Sequence, residues 1–141
     1  MTEGQQDRPG TAVAAAVFGF VLSGLLLLAG VILVEGAKLI GTISDHGGSG
    51  SEFVFDGLVN FVAAALLIAG GVSLIGRKPS GRATLLVGVA IVLAEGIYWF
   101  GRFANGGLFF WVCLFVVPAI IAGCFGVGSA TRTWLNGAVR R

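Results

Sequence analysis

Four apolar stretches, at roughly 11–34, 57–76, 83–101 and 108–128, constrain this chain more than anything else in it. Each is close to the ~20 residues that a helix needs to cross ~30 Å of hydrocarbon. Lipid offers no partners to backbone N–H and C=O groups, so an open sheet is excluded, and the period-two segments are too few for a closed barrel. The expected fold is an all-α membrane protein with four transmembrane helices, at about 11–43, 57–76, 83–104 and 108–130. Helix one is extended past its first run because Ala37, Leu39, Ile40 and Ile43 keep an apolar face. A soluble reading fails on composition: 56% of the residues are hydrophobic and 11% are charged, against about 25% charged in soluble domains. A chain of 141 residues is too short to hide that much apolar surface from water.

The flanks are polar. Residues 1–10 are expected to form a disordered cytoplasmic tail, and 131–141 a basic cytoplasmic tail. The first apolar run is too long for a signal-peptide core and no small-residue cleavage site follows it, so it is expected to remain as a helix. Basic residues set the orientation. Arg8, Arg77, Lys78, Arg82, Arg132, Arg140 and Arg141 fall on one side, and only Lys38 and Arg102 on the other. The bias of seven against two predicts a multi-pass protein of the plasma (inner) membrane with both termini cytoplasmic. The net charge of +2 is too small to suggest nucleic acid as a partner.

A motif recurs. Leu33-Val34-Glu35-Gly36 returns sixty positions later as Leu93-Ala94-Glu95-Gly96, and Gly41 and Gly47 return as Gly101 and Gly107. Gly57-Leu58 and Val62 resemble Gly107-Leu108 and Val112 at an offset of fifty. The ten-residue difference falls in the first outer loop, with its Gly47-Gly48-Ser49-Gly50-Ser51 segment. Two similar hairpins starting on the same side make a parallel repeat about an axis along the membrane normal. Small residues four apart on helix one (Ala15, Gly19, Ser23), helix two (Ala65, Ala69, Ser73) and helix four (Ala122, Gly126, Ala130) suit close helix packing. Pro118 is expected to loosen helix four locally.

Ionisable groups inside a span are expensive, which makes Glu35 and Glu95 the first candidates for chemistry. Glu95 lies about twelve residues into helix three, roughly 18 Å from its cytoplasmic start. One reading has the two glutamates facing each other across the pseudo-twofold and binding a proton, a cation or a cationic substrate. The other has each accept bonds from a helix end, or pair with Lys38 or with Arg102, which follows Glu95 by seven residues. Aromatics gather on the outer side as a candidate partner or lipid surface: Phe53, Phe55, Trp99, Phe103, Phe109, Phe110 and Trp111. Tyr98, Trp99 and Trp111 fit an interfacial belt, with Trp134 as the inner counterpart.

Other chemistry finds little support. His46, the only histidine, with Asp45 and Glu52 lacks regular ligand spacing, so no metal is expected. Cys113 and Cys124 lie on one helix about 16 Å apart along its axis and cannot bridge. No phosphate loop, dinucleotide motif or nucleophile set is present, and neither a cofactor nor an enzymatic activity is expected.

The opening Arg8-Pro9-Gly10-Thr11-Ala12-Val13-Ala14-Ala15-Ala16-Val17-Phe18-Gly19-Phe20 resembles the starts of many small four-helix integral membrane proteins of actinobacteria. Most of those have no assigned activity, and some resemble accessory subunits of larger inner-membrane assemblies, including lipid importers of the mammalian-cell-entry type. The resemblance covers helix one and carries no functional residues with it. It implies a non-catalytic accessory or stabilising subunit, with membrane lipid and other integral membrane subunits as partners. The residues leave open an alternative, a small oligomeric proton- or cation-coupled transporter or channel that uses Glu35 and Glu95.

Overall fold

The computed structural model describes residues 10–43, 49–102 and 106–139, with side chains except those of 40–43, 49, 102, 106–112, 134 and 137–139. Five helices follow in order: α1 (Gly10–Ile43), α2 (Ser49–Ile75), α3 (Pro79–Arg102), α4 (Gly106–Val127) and α5 (Ser129–Val139). No strand occurs among the described residues. Three stretches are long and apolar enough to cross a membrane: Gly10–Leu39, Gly50–Ile75 and Pro79–Gly101. In α4 the apolar stretch with described side chains, Cys113–Val127, is shorter.

The first four helices pack as an up-down ring in which each touches the next and α4 returns to α1. Glycine sets the spacing. A Cβ on Gly57 of α2 would lie 2.8 Å from Val34 Cγ2 and 3.1 Å from Gly30 O of α1. A Cβ on Gly70 would lie 2.5 Å from the backbone nitrogen of Leu85 in α3, and one on Gly81 would lie 2.5 Å from that of Leu74 in α2. Small residues that let backbones touch supply the packing that holds helices together in lipid, where apolar burial gives no drive. The space between the helices is filled by Leu22, Leu26, Leu67, Leu85 and Val92, all nearly or wholly buried, with Ala63, Ala64, Ala119 and Ala122 between them.

Among the residues expected to pack, Gly19, Ser23 and Gly126 are buried and Ser73 is half-buried, its backbone carbon 2.7 Å from where a Cβ on Gly81 would sit. Ala69 faces outward. The hundred-degree turn per residue hands its role to the neighbouring Gly70 and Gly71, which face α3 and α1.

Two regions depart most from the sequence expectation. Helix two starts at Ser49, eight residues before the expected 57. Glycines and serines there read as a loop, yet Glu52 in the first turn suits the positive end of a helix. One turn on, Phe53 stacks against Trp99 with ring centroids 6.2 Å apart. Residues 129–139, largely within the expected basic tail, form α5 instead. Gly128 breaks the chain after α4, and Thr131, fully buried, donates to Phe125 O at 2.9 Å and meets Thr11 Oγ1 at 3.1 Å. Buried Leu135 completes this attachment of α5 to the bundle.

The bundle thus has a near end, holding the α2–α3 turn and α5, and a far end where α1 and α3 finish. At the near end Arg82 Nε donates to Gly126 O at 3.0 Å and Nη2 to Val127 O at 3.2 Å. These carbonyls are the unsatisfied acceptors that end α4, so a cation there answers both their hydrogen bonds and the helix dipole.

Candidate functional site

The polar groups of α2 and α3 converge toward the far end. Asp56 and Asn60 are one turn apart on α2, and Glu95 and Trp99 are one turn apart on α3, so an antiparallel pair brings all four together. Asn60 is 5% exposed. Its Nδ2 donates to Glu95 Oε1 at 2.9 Å and to Asp56 O at 3.0 Å. Trp99 Nε1 donates to Asp56 Oδ1 at 2.8 Å. The carboxyls of Asp56 and Glu95 also meet, side chain to side chain. Two carboxyls in contact can hold a shared proton or a cation between them.

Asp56, Glu95 and Trp99 line a cavity of about 640 Å³ between α2 and α3. Glu52 and Phe55 stand on its α2 wall and Tyr98 and Trp99 on its α3 wall, with Val59 and Ile91 one turn closer to the middle of the bundle. Phe55 is 69% exposed and Tyr98 53%, so the cleft opens on the outer surface of the pair and not into the bundle interior. Tyr98 meets Trp99 edge to face, with centroids 5.6 Å apart.

The structure does not bring Glu35 and Glu95 together. Glu35 lies on the outer surface of α1 and accepts from Lys38 Nζ at 2.6 Å, both side chains more than 60% exposed. Glu95 takes its partners from α2. The following glycines differ too: a Cβ on Gly36 would meet nothing within 4 Å, whereas one on Gly96 would lie 2.7 Å from Val116 Cγ2 of α4. The repeated motif therefore occupies two unlike environments.

Of the aromatic surface, Phe53 and Trp99 are half-buried against each other and Phe55 lines the cleft. Phe103 lies outside the described residues, as do Asp45 and His46, and the side chains of Arg102, Phe109, Phe110, Trp111 and Trp134 lie outside the described side chains. Among the described residues no group of three or more His, Cys, Asp or Glu is placed to hold a metal ion. Asp56 and Asn60 are the site residues that sequence reasoning missed. Asp56 falls just before the expected start of helix two at 57, and Asn60 is a single amide in an apolar run; their spacing of four on one helical face is the available signal.

Comparison with family models, with curated proteins and with solved structures gives no match.

Proposed function

We propose that this is a four-span protein of the plasma (inner) membrane, built from two similar hairpins with both termini cytoplasmic, and that it acts without catalysis as an accessory, stabilising subunit of a larger membrane assembly that transports lipid. The 22 residues of α4, at ~1.5 Å per residue, reach about 33 Å and suit a fourth crossing. Arg77, Lys78, Arg82 and Arg132 all belong to the near end, which makes it the cytoplasmic one on the positive-inside rule.

The sideways aspect of the cleft is the observation that carries the accessory role. Large aliphatic side chains fill the space between the helices, while Asp56 and Glu95 lie under a cleft on the outer face of α2 and α3. In a membrane that face meets lipid or a neighbouring subunit. The resemblance of residues 8–20 to small four-helix membrane proteins, some of which resemble accessory subunits, points the same way. Extraction in mild detergent and quantitative mass spectrometry of the purified material test the reading. Stoichiometric recovery of other integral membrane subunits is expected, and recovery of this chain alone overturns it.

The contact between two carboxyls favours a second reading, a small proton- or cation-coupled transporter in which Asp56, not Glu35, is the partner of Glu95. Purified protein in liposomes then shows cation- or proton-coupled flux that Glu95→Gln abolishes and Glu35→Gln leaves intact. Flux unchanged in Glu95→Gln removes this reading.

A further inference from the structure

We propose that the α2–α3 cleft binds an alkylammonium amphiphile, its cationic head between the Asp56–Glu95 pair and the rings of Tyr98 and Trp99, its chain along Val59 and Ile91. The proposal rests on the bundle lying in a membrane and goes beyond the accessory role. The cavity, about 640 Å³, falls within the ~300–1,000 Å³ typical of organic-ligand sites. Glu52, Asp56 and Glu95 line it, and the lining residues include no basic side chain, so its charge suits a cation. Indole and phenol faces attract ammonium groups, indole most strongly.

An organic head fits better than an inorganic ion. Calcium takes 6–8 oxygen ligands, and magnesium demands near-octahedral coordination. Asp56 and Glu95 already accept hydrogen bonds from Trp99 and Asn60. The order of the lining residues gives the ligand its direction. Polar and aromatic groups lie toward the far end and aliphatic ones a turn nearer the bundle middle. That is the arrangement of a head and chain lying parallel to the helices with the head nearer the membrane surface.

The test uses the full chain with Trp111→Phe and Trp134→Phe, so that Trp99 alone reports, in phosphatidylglycerol nanodiscs. Dodecyltrimethylammonium is expected to change Trp99 fluorescence saturably, beyond the response of empty discs with added indole. Dodecyl sulfate, with the same chain and the opposite charge, is expected to give no saturable change. Asp56→Asn with Glu95→Gln is expected to weaken binding at least tenfold. Ala94, exposed on the cleft wall, offers a variant that spares the polar network. Ala94→Trp, read by displacement of a radiolabelled probe, is expected to abolish binding with unchanged helical circular dichroism, and decides the matter if the double variant fails to fold. No saturable response, equal binding of the sulfate, or full binding in Ala94→Trp overturns the proposal. Phosphatidylethanolamine in the discs separates the sources of the head. Competition with the probe assigns the site to a lipid headgroup, and no competition assigns it to a free amphiphile. Failure here leaves the accessory role standing, because partner recovery does not depend on this ligand.

Discussion

The two halves of the α2–α3 pair are joined by opposite means. Toward the turn, glycine brings backbone against backbone, Gly70 on Leu85 and Gly81 on Leu74. Toward the far end, Asn60, Asp56, Glu95 and Trp99 occupy the space between the same helices and link them by hydrogen bonds. At those contacts the first half has no room even for a methyl group. The second has a cavity because large polar and aromatic side chains wedge the helices where glycine does not draw them together. One pair of helices thus provides a tightly packed side and an open, chemically equipped side.

The largest expected effect comes from spoiling the tight half. Gly70→Leu drives a side chain into the backbone of α3, which neither helix can yield without separating. Such overpacking costs about 3 kcal/mol, read as a lowered midpoint of unfolding in mild detergent. Gly101→Leu is the control, since a Cβ there meets nothing within 4 Å, and little change is expected. Equal effects at the two positions break the distinction between the halves.

The polar half responds next. Asn60→Leu leaves Glu95 without its buried donor and is expected to cost about 1–2 kcal/mol. Adding Glu95→Leu removes the stranded acceptor as well, so the double variant recovers much of that loss. Unfolding midpoints of the two single variants and the double one give the coupling. Recovery of stability without recovery of ligand binding or partner recovery marks the polar cluster as kept for function. Strict additivity means that Asn60 and Glu95 do not act as a pair.

Much of the fold is legible in the sequence, because lipid leaves a helix as the only solution for an apolar run of ~20 residues. The site is less legible, for reasons that differ by residue. Asp56 sits among Glu52, Phe53 and Phe55 just after glycines and serines, and local propensity there says loop. Contacts from another helix, the stacking of Phe53 and the hydrogen bond to Asp56, extend α2 through it. Glu35 and Glu95 share a motif, but a local motif does not say which way a helix is turned. That depends on Gly30 and Gly57 for one and on Gly70, Gly81 and Gly96 for the other. Helix α5 was missed because it is short, and its hold on the bundle comes from Thr131 and Leu135, whose burial depends on Thr11 and the end of α4.

At the turn itself a smaller effect with the opposite sign is expected. Arg77 has φ 57°, the left-handed region. Lys78 N donates to Ser73 O at 2.9 Å and Arg77 N to Leu74 O at 3.1 Å, the paired bonds that close a helix with glycine in the left-handed place. A side chain in that conformation costs about 1–2 kcal/mol, and glycine gives part of this back through its freer unfolded chain. Arg77→Gly is therefore expected to stabilise by about 0.5 kcal/mol, a rise in the same unfolding midpoint. A fall instead means that the Arg77 side chain contributes more to this end than its backbone strain removes.

The smallest effect is expected at Glu35, and it bears most directly on the repeated motif. Its ion pair with Lys38 joins two exposed side chains three residues apart on one helix. Pairs of that kind contribute about 0–0.5 kcal/mol in water, screened further by salt. Glu35→Gln should leave unfolding, partner recovery and ammonium binding within error, while Glu95→Gln alters at least the last. That asymmetry is the functional counterpart of the structural one: the same four-residue motif faces outward on α1 and inward against Asp56 and Asn60 on α3. If the two substitutions behave alike, the motif acts as a repeated unit after all, and the contrast between its two environments has no functional counterpart.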